Sequence, residues 1–503
     1  MNESLQTSAT STGPALTLDD LFRRTVARQP DEIALTDPPN KQRVTGQPPV
    51  QLTFAQADQA VSAIAAQFTE AGIPIGSVIA MQMPNTVEFA VTALGALRAG
   101  LVVALLPQLW RQSDLTNALN RVGARAIVGT ARIEIVDHGD IALNAAVEAF
   151  SIRHVFGFGD NLPEGMTPLE IVTGGMDGWV PPAVSDARRP AIVTFDVTPE
   201  GVRAIPRSHL QLISGGLAIF LESGLPQGAK LLGTMAPASF AAFTSQVVTW
   251  LLSGGSLTLH HPADLNVLDM QIAESNCDTL IAPALLAQRL AQGDLLAQTS
   301  TISHVIGLWR TPDRVASSDD WQQPSAFTDV YLFGEAGLFA ARRQADGSPA
   351  PILPGPFGAP RTSAGAKPIG EVIITPKATL ALRGAMVPVS AYRIPRGEML
   401  SEAPQPDYVD TGYAAQVDRA RGTLAITAPP VGVVGVGGYR FVAQELDDWA
   451  KRLNAGAMLT ALPDQLNGFR LAGRASDNRR AREALGELGL NPLMVEAFRE
   501  RSS

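Results

Sequence analysis

The chain has 503 residues, of which 46% are hydrophobic and 17% charged, with a formal net charge of −9 and one cysteine, Cys277. That length is room for roughly three domains of about 150 residues, dispersed Lys and Arg offer no basic stripe for a nucleic acid, and no apolar run reaches the roughly 18 residues that a membrane helix requires. One cysteine excludes an intrachain disulfide and a thiolate metal site, and its setting, Ser275-Asn276-Cys277-Asp278-Thr279-Leu280-Ile281, reads as the way into a buried strand, hence an inert core thiol rather than a nucleophile.

The first residues, Met1 to Ala15, are Ser/Thr-rich, with no basic region followed by an apolar core. They are expected to be a disordered tail and not a signal peptide, which places the protein in the cytoplasm. Leu18, Leu21, Phe22 and Val26 then recur at helical spacing behind Thr17, a natural N-cap. Ile33-Ala34-Leu35 is a strand, followed by a Pro/Gly/Asn-rich hairpin loop, Leu52-Thr53-Phe54, and a helix from Ala55 to Ala71 closed by Gly72. The strand Val78 to Met83 runs into Pro84-Asn85-Thr86-Val87-Glu88-Phe89, a helix start, and after Gly100 comes the strand Val102 to Leu106. Strands and helices alternating at this spacing imply parallel sheet.

The pattern repeats from Arg125-Ala126-Ile127-Val128. Ile192-Val193-Thr194 ends as a buried strand would, a polar turn carrying Gly and Pro follows, and Ser208-His209 opens a helix with Leu210, Ile213, Leu217 and Phe220 on one face. Strand, loop, helix is therefore expected over Thr194 to His209. Leu231 to Ala236 reads as a strand leading to Pro237-Ala238-Ser239-Phe240, followed by a helix to Leu252, the strand Ser256 to His260, and Leu280 to Pro283 with a helix from Ala284 to Leu290. His260 and His261 sit at a strand end without a spaced third ligand, which favours core or solvated histidines over a metal site.

Three later stretches complete the reading: Val330-Tyr331-Leu332-Phe333-Gly334-Glu335-Ala336-Gly337, Tyr408-Val409-Asp410-Thr411-Gly412-Tyr413, and Gly435-Val436-Gly437-Gly438-Tyr439-Arg440-Phe441. In this order, with Thr194 to His209 and Gly76 to Pro107, they resemble the adenylate-forming superfamily of acyl- and aryl-CoA ligases, luciferases and peptide-synthetase adenylation domains, the AMP-binding enzymes, from about Leu16 to Ala497. The resemblance implies an α/β fold. After the tail at 1–15, a large N-terminal domain of mostly parallel sheets packed with helices, with a small β subdomain, would span 16–427, a hinge 428–432, and a small, truncated α+β C-terminal domain 433–503.

The family's nucleotide loop reads Thr-Ser-Gly-Thr-Thr-Gly-x-Pro-Lys-Gly-Val, then two residues and Ser/Thr-His. Counting back from His209, its lysine falls on Arg203, its second threonine on Thr198, and its three glycines on Val197, Glu200 and Ala204, while Asp196 replaces a serine. Glycines let backbone amides approach phosphates at dihedrals that a Cβ forbids, and two carboxylates there repel a polyphosphate. Phe240 and Phe243 stand at the family's acyl pocket and line it or belong to plain core. Trp309 and Arg310 replace the small turn residues beneath the adenine, so the indole is expected to fill that slot. Phe333 and Gly334 match the family's Tyr-Gly, but its threonine and glutamate become Ala336 and Gly337, leaving Glu335 as the substitute magnesium ligand. Thr411 and Gly412 match Thr-Gly-Asp up to Tyr413, which cannot accept from both ribose hydroxyls. Pro429-Pro430 falls on the hinge and is expected to hinder domain rotation. Gly437, Gly438 and Tyr439 follow the family's CoA-side loop. The last lysine is Lys451, so the family's late bridging lysine is expected to be missing.

Two functional readings follow from the resemblance. In the first, a catalytically degenerate ligase acts as a binding or assembly partner and retains a pocket for a carboxylic acid or acyl-CoA, with no confident cofactor or metal. In the second, an active acid-thiol ligase uses ATP, Mg2+ and CoA, with Thr198, Arg203, Glu335 and His209 rearranged around them and the lysine supplied by a protein partner. The first is the expectation, because phosphate clamping, magnesium, ribose anchoring and the lysine are all altered.

Overall fold

The computed structural model describes residues 16–175, 179–182, 186–262, 264–293, 295–298, 301–358, 368–388, 392 and 407–499. The expected tail at 1–15 lies outside the described residues. The first helix, Leu18–Arg28, starts at a capping box in which the Thr17 side chain accepts from the Asp20 amide and Asp20 accepts from the Thr17 amide at 2.9 Å. Its Leu18 and Phe22 are fully buried, a gain of about 1.5–3 kcal/mol each. Thr53 caps the helix Phe54–Glu70 in the same way through Gln56. Trp250 closes this corner, its ring stacked 6.2 Å from that of Phe54.

Two mostly parallel sheets carry the large lobe. One orders its strands Leu338–Arg342, Ala326–Leu332, His304–Trp309, Thr279–Pro283, Leu231–Gly233, Leu257–Leu259, Ile33–Thr36 and Gln51–Thr53, with antiparallel pairs only at its two edges. The other orders Thr167–Pro168, His154–Phe158, Ala126–Thr130, Val78–Met81, Val102–Leu105, Pro190–Thr198 and Gly201–Ser208. Inner strands such as Val78–Met81 and Val102–Leu105 are buried at every position, as continuous apolar strands covered on both faces must be. Between the sheets lies one large core containing Phe68, Phe89, Phe243 and Trp250. A five-stranded antiparallel sheet, Gly355–Phe357, Gly370–Ile374, Thr379–Gly384, Tyr408–Asp418 and Thr423–Ala428, is attached to it.

Beyond Pro430 the chain forms two hairpins, Val433–Val436 with Tyr439–Val442 and Met458–Asp464 with Gly468–Arg474, and the helices Ala443–Leu453, Asn478–Glu487 and Pro492–Glu496. They share a core of their own around Leu446, Leu471, Leu485 and Phe498. We call this part the small lobe. Among the described residues, no helix is long and apolar enough to cross a membrane and no group of three or more His, Cys, Asp or Glu is placed to hold a metal.

Two expectations are corrected. The stretch after the first strand is not a plain hairpin loop: it contains the helix Lys41–Thr45, which buries Lys41 between Asp37, at 2.6 Å, and Glu88. That triad ties the first strand's end to the helix Val87–Arg98, whose first amide donates to Asp37 Oδ1 at 2.7 Å. Of the two readings left open for His260 and His261, core and solvated, both residues are core: they are buried, and His260 Nδ1 lies 2.7 Å from Gln271 Oε1. The second correction concerns the centre of the sequence. Thr194 to His209 is not strand, loop and helix but an antiparallel hairpin, Pro190–Thr198 against Gly201–Ser208, running directly into the helix His209–Ser223.

Candidate site between the lobes

The hairpin follows from the residues on either side of its turn. Val197 and Val202 are β-formers that pair across the ladder, Thr198 pairs with Gly201, and the two residues left between them, Pro199 and Glu200, make the turn. Gly201, at φ +109°, supplies the left-handed residue that follows it. Pro206 is tolerated because Gly201–Ser208 is an edge strand. Thr198 and Arg203 consequently do not face a phosphate cradle. The Thr198 hydroxyl donates to Glu200 at 2.9 Å, and Arg203, more than half exposed, lies 3.5 Å from the same carboxylate. This contact with Thr198 holds the exposed Glu200 carboxyl below its usual range.

The buried guanidinium of this region is Arg207, which the sequence reading passed over. It donates to Thr194 Oγ1 at 3.3 Å and to the Glu335 carbonyl, and lies 3.7 Å from the Glu335 carboxylate. Its Cζ sits 3.8 Å from the centroid of the Phe240 ring, and Glu335 Oε2 accepts from the Phe240 amide at 3.0 Å. Burial pushes the Glu335 carboxyl up and the Arg207 guanidinium down to about 10, each opposed by the partner's charge. Glu335 is thus committed to an ion pair and a backbone amide, an arrangement that does not suit a magnesium ligand. Phe240 is sealed beneath that pair, and Phe243 is core, edge-on to Phe89 at 6.4 Å.

The small lobe supplies the second half of the site. Arg440 donates to Asp196 Oδ1 at 3.1 Å and to the Tyr413 hydroxyl at 3.3 Å. Its guanidinium rests on Gly334, where an added Cβ would come within 2.1 Å of Nη1 and where φ is +59°. Phe333 packs edge-on to Tyr413 at 5.5 Å. Asp196 and Glu335 both act on Arg207 and on Arg440, so two arginines and two carboxylates form one alternating, self-neutralised network. Nearby, Arg310 lies flat on the turn Gly437-Gly438, with Cζ 3.1 Å from where a Cβ on Gly438 would stand. Tyr439 accepts from the Leu109 amide at 3.2 Å, and burial pushes its phenol up. Arg314 lies 4.3 Å over the Phe469 ring.

The remaining candidates have structural partners. Thr411 donates to the Leu380 carbonyl at 2.7 Å. His209 Nδ1 accepts from the Leu18 amide at 3.2 Å, satisfying a free N–H of the first helix turn. Burial pushes its pKa down to about 4, so the ring is neutral with its proton on Nε2. Trp309 does not lie in an open adenine slot: it is 1% exposed, and its indole donates to the buried Asp329 at 2.6 Å beside Arg343. Its neighbour Arg310, on the opposite side of the strand's end, is the residue that meets the small lobe. ATP and magnesium are the groups the resemblance implies, and the residues here do not fit them. The positions assigned to phosphate, ribose and metal hold a hairpin, a tyrosine bound to Arg440 and a carboxylate bound to Arg207.

A model of the AMP-binding enzyme family matches residues 22–331, more than half of the chain, and the chain belongs to that family. It is 31% identical over 139 residues to a long-chain-fatty-acid–CoA ligase of Escherichia coli O6:H1, covering 27% of this chain and 22% of that protein. It is 27% identical over 194 residues to the salicyl-AMP ligase / salicyl-S-ArCP synthetase of Mycobacterium tuberculosis H37Rv, covering 38% and 33%. The matched stretches are thus a third or less of those curated relatives. Among solved structures, the amide bond synthetase McbA from Marinactinospora thermotolerans superposes with a TM-score of 0.71 at 16% identity over 95% of this chain and 94% of that one. Apo MbtA of Mycobacterium smegmatis does so with a TM-score of 0.66 at 22% identity over 95% and 89%. Those likenesses are of fold: an α/β large lobe of parallel sheets and helices with a smaller C-terminal one.

Proposed function

We propose that this chain is a catalytically degenerate AMP-binding enzyme homologue that acts as a binding or assembly partner and retains the family scaffold, with a carboxylic acid or an acyl-CoA as the ligand class. The observation that carries this reading is the Pro190–Thr198/Gly201–Ser208 hairpin. Its backbone amides are spent on a ladder instead of being free to approach a phosphate, and its one exposed cation is already paired with Glu200. Stabilisation of charge developing during transfer requires preorganised donors aimed at the reacting group. The buried Arg207–Glu335 pair supports the same reading, since it uses up the carboxylate that would otherwise serve a metal. The test is release of pyrophosphate from ATP and Mg2+ with a panel of short, long and aromatic carboxylic acids. No release above an acid-free control is expected. Sustained acid-dependent release would overturn the proposal and make the chain an active acid-adenylating enzyme, as the first step of the acid-thiol ligase reading requires.

A further inference from the structure

We infer that the two lobes are held together by an internal latch in which the Asp196 carboxylate takes the place of a ligand's anion and holds Arg440 of the small lobe. Both hydrogen-bonding ends of the latch belong to the large lobe, Asp196 on Pro190–Thr198 and Tyr413 on Tyr408–Asp418. Arg440 is delivered to them by the hairpin whose turn is Gly437-Gly438, with Gly437 at φ +59°. The fit depends on glycine on both sides. Gly334 leaves room that a Cβ would take from the Arg440 fork, and Gly438 leaves the room in which Arg310 lies in the opposite direction. Each lobe therefore inserts one arginine onto a glycine of the other.

The charge balance explains why the contact holds. Removing a guanidinium from water is costly unless an opposite charge and further acceptors meet it. Asp196 supplies the charge at 3.1 Å, and the Tyr413 oxygen takes a second N–H. The other ties between the lobes are weaker: one neutral hydrogen bond from the Leu109 amide to Tyr439, the Arg314–Phe469 stack, and packing of Thr311 against Gly468 and of Pro199 against Gly432. The Asp196–Arg440 pair is the one oppositely charged contact among the ties named. In the register of the resemblance, Asp196 stands on a serine of the nucleotide loop and Gly334 on the glycine beside the adenine. The latch thus occupies ground that a nucleotide would need, and it disappears if either partner loses its charge.

This inference builds on the reading of the site proposed above, but its test reads docking and not turnover. Hydrogen–deuterium exchange is followed in the full chain for the Gly437–Tyr439 turn, for Leu109, and for the small-lobe core around Leu446 and Leu471. Arg440→Gln and Asp196→Asn are each expected to raise exchange in the turn and at Leu109 by about tenfold or more, as for local opening, while the Leu446/Leu471 core keeps wild-type protection. Arg440→Lys, which keeps the charge but loses the planar fork, is expected to fall between. Wild-type exchange at the turn in both neutral variants would overturn the latch. Loss of protection in the small-lobe core would also overturn it, by making the pair a requirement for folding. Acid-dependent pyrophosphate release would overturn the proposed function and leave the exchange result standing.

Discussion

Arg207 and Phe240 meet face to face, the guanidinium carbon 3.8 Å from the ring centroid, and the Phe240 amide in turn donates to the Glu335 carboxylate that Arg207 neutralises. Removing the cation leaves Glu335 buried without its counter-charge. Breaking a buried pair from one side typically costs about 3–5 kcal/mol, so Arg207→Met is expected to lower stability by about that much in urea or guanidinium unfolding. Glu335→Gln in the same chain should recover part of the loss. Single effects that simply add in the double variant would show that the two residues are not coupled.

His209 and Asp37 give stability opposite pH slopes. Burial holds His209 at about 4 against about 6.5 in the unfolded chain. The unfolded state therefore binds more protons between these values, and the contribution is lost as pH falls through that window. Burial, then Glu88, raises Asp37 to about 6 from 3.8; its contribution is full below the unfolded value and lost as pH rises through the folded one. His209→Asn keeps an acceptor for the Leu18 amide and removes the titration. It is expected to lessen the destabilisation between pH 7.5 and pH 5 by about 2 kcal/mol. Asp37→Asn should do the reverse, by about 1 kcal/mol. Unchanged pH profiles in unfolding experiments would contradict both assignments.

Trp309 is expected to matter for stability and not for nucleotide exclusion. Trp309→Phe removes the donor to Asp329 and some buried volume, for a loss of about 2–4 kcal/mol. If it instead produced measurable ATP binding without destabilisation, the indole would be standing in the adenine slot after all.

Restoring glycines at two loop positions, Glu200→Gly with Ala204→Gly, removes a repulsive carboxylate but leaves the ladder. Ala204 is buried and pairs with Phe195, so glycine there should cost about 0.5–1 kcal/mol. Pyrophosphate release is expected to stay at background. Contributions to one transition state are strongly non-additive, so repairing one of several members recovers little. Release from the double variant above an acid-free control would show that the loop alone was limiting.

The fold was legible because its signals are local. Thr17 as a cap, Gly72 as a helix stop and unbroken apolar strands such as Val78 to Met81 each state their structure within a few residues. The central hairpin was equally local yet read as a loop, since the resemblance outweighed the two β-branched runs separated by Pro199-Glu200. Arg207 carried a faint signal, a charge set in an otherwise weakly polar strand just before Ser208-His209. The network itself had none: Arg207 and Glu335 lie 128 positions apart, Arg440 and Asp196 244. Nor does periodicity reveal that Trp309 turns toward Asp329 while Arg310 turns toward the small lobe.

Calorimetric titration of the full chain with ATP and Mg2+, paired with its melting temperature at low-millimolar nucleotide, tests most directly whether this family member has given up its nucleotide. A ligand at a hundred times its dissociation constant adds about 2.7 kcal/mol of stability, several degrees in a melt. No heat of binding and no melting shift are expected. Saturable binding with such a shift would show that Asp196, Arg440 and the hairpin yield to the nucleotide, and would contradict the account.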